Sequence, residues 1–190
     1  MSCIMFKLLL EMQKVIGYII FILFYVNSSI AQEGLRIEWP DQYNWELHKK
    51  MENQDMKYIE IMPAGENDTN WTHFGQMLIV KGVTNAHVLK AKDVVMDEIL
   101  AETPDAFFTL LEIDTLGLFP YIIFKVENIF GPGIKGTVSK VYYIVQGRTA
   151  LYVNFVAIRK KMLSKEEEEF WKNVFKSAQI IYHNPKNKNQ

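Results

Sequence analysis

Apolar and polar residues alternate with period two over most of this chain, and the two places where the period lengthens mark its helices. The stretch "LRIEW", residues 35–39, reads as a first strand ended by Pro40. "WELHKKMEN" and "MKYIEIMP" form a hairpin around Asn53, Gln54 and Asp55, and "WTHFGQMLIVKG" supplies another strand through about Val80. From residue 85 to 101 the repeat becomes three to four. Val88, Leu89, Val95, Met96, Ile99 and Leu100 fall on one face and Lys90, Asp93, Asp97 and Glu98 on the other, which predicts an amphipathic helix stopped at Thr103-Pro104.

Period two then returns in "AFFTLLEIDT", "YIIFKVENIF", "VSKVYYIVQ" and "ALYVNFVAIRKK". Their short links favour an antiparallel meander, because parallel neighbours need a crossover of a dozen or more residues. Both faces of "YIIFKVENIF" are apolar, so the sheet is expected to be covered on each side for part of its width. The closing phrase "LSKEEEEFWKNVFKSAQIIY" predicts a second helix. Ser164 is its N-cap, Glu167 completes a capping box, and Phe170, Trp171, Val174, Phe175 and Ala178 form the buried stripe. The four glutamates belong in the first turn, where the helix dipole favours them, so no calcium-binding role is assigned to them. The expected fold is α+β: a central, mostly antiparallel sheet of about six to seven strands packed by an internal and a C-terminal helix.

The amino end has a different character. Residues 15–26, "VIGYIIFILFYV", follow Lys7 and Lys14 and precede "NSSIA", the layout of a secretory signal. A run of twelve is short for a bilayer, which needs about 20 residues. Cleavage is expected after Ala31, and translation starts at either Met1 or Met12, since each opens a complete leader. The expected organisation is a signal peptide over 1–31, one α+β domain over 32–182 and a polar tail over 183–190, with the product periplasmic or secreted. Attachment to a membrane is expected only through an uncleaved signal.

Composition narrows the chemistry. The only cysteine, Cys3, precedes the expected cleavage point, so the mature domain is expected to lack disulfides, thiol nucleophiles and thiolate metal ligands. Export without disulfides suits a bacterial envelope, and a chain of this length with 49% hydrophobic residues can build its own core. Without residues 1–31 there remain 19 basic and 21 acidic side chains, a balance that does not steer the domain toward nucleic acid.

Few motifs point to chemistry. "GPGIKG", residues 131–136, matches G-x-G-x-x-G, but it lies between strands, carries Pro132 and reads as a hairpin loop rather than a dinucleotide site. No two of His48, His73, His87 and His183 have the i, i+4 spacing of a zinc pair, and no G-x-S-x-G occurs. No catalytic residue, metal ligand or cofactor is therefore assigned. Asn67-Asp68-Thr69 and Asn70-Trp71-Thr72 match N-x-[ST]; they would be glycan acceptors in a eukaryotic secretory pathway and carry no such meaning in a bacterium. The candidate binding residues are Asn70, Trp71, Thr72 and His73 at a strand entrance, with Trp71 expected chiefly as a loop anchor.

The signal, the phrase "MPAGENDTNWT" before a strand, the internal helix, the meander ending "ALYVNFVAIRKK" and the closing helix phrase together resemble exported bacterial proteins with the PsbP-like and DcrB-like α/β/α sandwich, over residues 35–182. The resemblance implies an accessory or binding role with no shared catalytic residues, and the chain lacks the lipid-anchor cysteine of the DcrB-like lipoproteins. The first expectation is thus a non-enzymatic exported protein that binds an envelope or extracellular protein or a small ligand. The loops over 63–73, after Leu116 and after Ile129 are the regions where recognition is expected. A hydrolase using His73 or His87 as base, and a secreted effector or adhesion factor, stand as alternatives.

Overall fold

In the computed structural model, which describes residues 32–130 and 136–183, nine strands and two α-helices follow one another along the chain. The strands are β1 (Gln32–Arg36), β2 (Trp45–Glu52), β3 (Met56–Pro63), β4 (His73–Lys81), β5 (Phe107–Asp114), β6 (Tyr121–Ile129), β7 (Val138–Gln146), β8 (Ala150–Ile158) and β9 (Gln179–His183). The helices are α1 (Val88–Glu102) and α2 (Lys165–Lys176). Residues Glu33–Tyr182 form one compact unit. The signal expected at 1–31, the "GPGIKG" loop up to Lys135 and the tail beyond His183 lie outside the described residues.

Seven strands make one sheet in the order β2-β3-β4-β8-β7-β6-β5, with every neighbouring pair antiparallel. Two meanders, β2 to β4 and β5 to β8, are zipped together where β4 pairs β8. The expected hairpin turn is present: the Asn53 side-chain oxygen accepts from the amides of Asp55 and Met56, a local bond that competes well with extended structure and so closes the turn.

Strands β6 to β8 are buried on both faces, as the doubly apolar β6 predicts. One face carries Ile122, Phe124, Val126, Tyr142, Ile144 and Phe155 beneath Val88 and Met96 of α1. The other carries Ile123, Val141, Tyr143, Val156 and Ile158 beneath Trp171 and Phe175 of α2. Trp171 is 1% exposed and Phe175 fully buried, and burying each such side chain contributes about 1.5–3 kcal/mol. The two N-termini differ. Ser164 and Glu167 form the complete capping box that the sequence predicts. α1 starts later than predicted, at Val88, because Asn85 takes a left-handed φ of 59° and His87 caps without a side-chain bond.

Three expectations shift. Leu89 and Leu100 are exposed, so the buried stripe of α1 runs instead through Val88, Ala91, Val95, Met96 and Ile99. The first strand ends at Arg36, because Trp39 N–H turns back to the Ile37 carbonyl before Pro40. The closing helix ends at Lys176, and "QIIYH" forms β9, which pairs with β1 in a separate two-stranded sheet. β-Branched Ile180 and Ile181 suit that extended ribbon better than another helical turn.

Candidate functional site

The loop between β3 and β4 is built from its own side chains. Glu66 bonds Thr72 twice, at 2.6 Å to the amide and 2.6 Å to the hydroxyl. Asn67 accepts from the amide and hydroxyl of Thr69, while Asn70 accepts from the Asn67 amide at 2.7 Å. Asn70 and Thr72 therefore fix a turn, as their type favours. Both are exposed. The end of β8 holds the loop from below: Arg159 N–H donates to the Thr72 carbonyl at 3.0 Å and its guanidinium to the Thr69 carbonyl at 3.2 Å.

Trp71 and His73 part company at the strand entrance. Trp71 is half-buried against Phe74, with ring centroids 6.1 Å apart, and joins the α1-side core. His73 packs its ring 4.4 Å from Tyr43 and 6.3 Å from Trp171, among the aromatic side chains beneath α2. Burial holds its pKa below the usual imidazole value of 6.5, against the pull of Glu66 and Glu167. The four sequence-predicted residues are thus neighbours in one loop, but their side chains serve the loop, one face of the sheet and the other face.

A cleft of about 260 Å³ opens beside Trp71. Its floor is a row of cross-strand neighbours on the α1 side of the sheet, Phe74 of β4, Ala157 of β8 and Lys140 of β7. Met62 and Val138 extend the apolar lining, and Trp71 forms a wall. Two carboxylates line it, and each is already engaged. Glu60 accepts from the Tyr58 hydroxyl, and Asp68 lies 3.0 Å from His48 Nε2. Burial and the Glu60 bond push the Tyr58 hydroxyl well above its ordinary pKa, which keeps it protonated as the donor.

Lys140 is the residue that sequence reasoning passed over. Its Nζ rests 4.5 Å from the Phe155 ring centroid, and among the described residues no carboxylate forms an ion pair with it. Burial lowers its pKa, and the Glu102 charge opposes that only in part. The signal was available: in "VSKVYYIVQ", period two places Lys140 on the same face as Val138, Tyr142 and Ile144, all of which are buried.

The second inward lysine has a different setting. Lys125 of β6 is 2.8 Å from Glu127 and 2.9 Å from Glu168 at the start of α2. Burial works against its charge, but the two carboxylates prevail and raise its pKa. Glu127 also accepts from the Leu163 amide at 2.7 Å, fastening the chain into α2. The three charges offset one another, which gives the cluster a structural role.

His73 and His87 have different surroundings. His73 Nδ1 is 3.1 Å from the Thr72 hydroxyl, yet that hydroxyl is clasped by Glu66 itself, whereas a triad places the imidazole between the two. His87 lines a cavity of about 340 Å³ with Thr115, Gln146 and Arg148, and no carboxylate is among its described lining residues. The loop after Leu116 contributes Gly117 and Leu118 to that cavity. Among the described residues no three His, Cys, Asp or Glu side chains gather as a metal site, and no helix is long and apolar enough to cross a membrane. Comparison of the chain with protein-family models and with curated proteins finds no match.

Proposed function

We propose that this protein is an exported, non-enzymatic binding or accessory domain, which receives a small ligand or a partner's side chain in the cleft beside Trp71. The observation that carries the reading is Lys140, a half-buried amine at the floor of an aromatic cleft, with no carboxylate ion-pair partner among the described residues. An acidic group entering the cleft would supply the absent partner and raise the lysine pKa, since a nearby opposite charge favours the ionised form. The volume of about 260 Å³ suits one side chain or a small organic acid rather than a large cofactor. Support for export comes from the cationic, apolar and small-residue order of residues 7–31, and for an accessory role from the resemblance to PsbP-like and DcrB-like proteins.

The test is an NMR titration of the purified protein with small aromatic acids and their neutral amides. The expected result is a shift of the Trp71 indole signal with the acids, abolished in Lys140→Met. Acids that leave the indole unmoved, or that act equally on Lys140→Met, would overturn the cleft. Cell fractionation tests the location: a chain starting at Gln32 in periplasm or medium agrees with export, and an uncleaved cytoplasmic chain contradicts it.

A further inference from the structure

The two edges of the seven-stranded sheet are defended unequally. β2 carries Glu46, His48, Lys49, Lys50 and Glu52, charges of the kind by which edge strands resist pairing with other chains. β5, at the opposite edge, begins "FFTL" with no charge at all. Phe107, 56% exposed, lies on the α2 face beside Glu127; Phe108 at 40%, Leu110 at 47% and Ile113 at 38% lie on the α1 face, and Leu116 at 97% and Leu118 at 73% follow in the loop. Apolar side chains thus flank the free β5 edge on both faces of the sheet.

We propose that β5 is a self-association edge, where a second copy of this chain pairs antiparallel with the first across a two-fold axis. Three features select that occupant. Residues 107–110 offer an uncharged main-chain edge, and the bulge between Leu110 and Glu112 ends the regular pairing there. Glu112 and Asp114 lie at one end only, so antiparallel pairing carries the two acidic ends to opposite sides of the interface, whereas parallel pairing would bring like charges together. The charged β2 edge blocks head-to-tail growth, which leaves closed pairing of like with like. A regular pairing of four residues from each copy is smaller than most specific interfaces, so the dimer is weak.

Sedimentation velocity of the purified protein from about 1 to 200 μM, the range that brackets such an affinity, gives the test. The expected result is a monomer–dimer equilibrium whose dissociation constant rises at least about tenfold in Leu110→Lys and in Phe107→Lys and is unchanged in the opposite-edge variant Leu47→Lys. Circular dichroism establishes that each variant is folded, and the two β5 variants stand in for one another should either fail. A protein monomeric throughout the range overturns the proposal, as does a dimer that a folded β5 variant leaves intact or that Leu47→Lys alone disrupts.

Discussion

Arg159 lies over the face of Trp71, its guanidinium carbon 4.5 Å from the ring centroid, and from that position it also bonds the Thr69 carbonyl. One side chain at the end of β8 thereby pins the indole and the loop that carries it. Arg159→Met would remove both the cation–π contact and the bond, at a cost of about 1–2 kcal/mol. Urea unfolding measures the loss, and faster amide exchange confined to residues 66–72 shows that the loop is what loosens.

Gly75 of β4 faces the aromatic layer under α2. A Cβ there would approach Ile61 Cγ1 to 2.6 Å and the Trp39 ring to 3.0 Å. Gly75→Ala is therefore expected to destabilise by about 1–3 kcal/mol, since a packed core repays an added methyl with strain. Thermal unfolding detects it. Gly82, with a φ of 74° and open space around its Cβ position, gives a contrasting prediction: Gly82→Ala is costly through backbone strain alone, and Gly82→Asn recovers part of the loss.

Lys125 balances two buried carboxylates, Glu127 and Glu168. Lys125→Met leaves them uncompensated and is expected to cost about 3–5 kcal/mol. Adding Glu168→Gln to that variant restores part of the stability, and the double-mutant cycle reads the coupling. Burial raises the Glu168 pKa, but the bonds to Lys125 and Lys165 outweigh it and bring the net value below 4.5. Its contribution is consequently present above pH 4.5 and lost as the pH falls through the folded-state value, so acid unfolding of Glu168→Gln begins less steeply than that of the parent.

His73 shows a separate acid dependence. Because burial lowers its folded-state pKa below 6.5, the unfolded chain takes up the proton first as the pH falls. Stability is complete above pH 6.5 and declines below it until the folded form also protonates. An NMR titration should place His73 below the usual histidine value, and His73→Phe should flatten the stability profile in that interval while keeping the stack on Tyr43.

Local chemistry was the legible part of this fold. The Asn53 turn, the Ser164 capping box and the alternation of β6 to β8 each depend on residues close together in the chain, and each appears where the pattern puts it. β9 was hidden because "AQIIY" continues an apolar pattern that a helix and a strand accept equally; pairing with β1, some 140 residues away, decides it. The site divided in the same way. The bonds of Asn70 and Thr72 and the packing of Trp71 on Phe74 involve residues close in the chain, whereas Lys140 enters the cleft only because β7, β8 and β4 lie side by side. Grouping His73 with Trp71 overlooked the change of direction where the turn becomes strand, which sends the two rings to different faces.

The β1–β9 ribbon binds the first described strand to the last. Opening and closing segments of the domain consequently leave the same corner of the molecule, and a cargo fused to either would occupy the same neighbourhood. A permuted gene that joins residue 183 to residue 32 through a brief glycine linker and reopens at Gln54, in the exposed β2–β3 turn, would redraw the chain's path without disturbing a single layer.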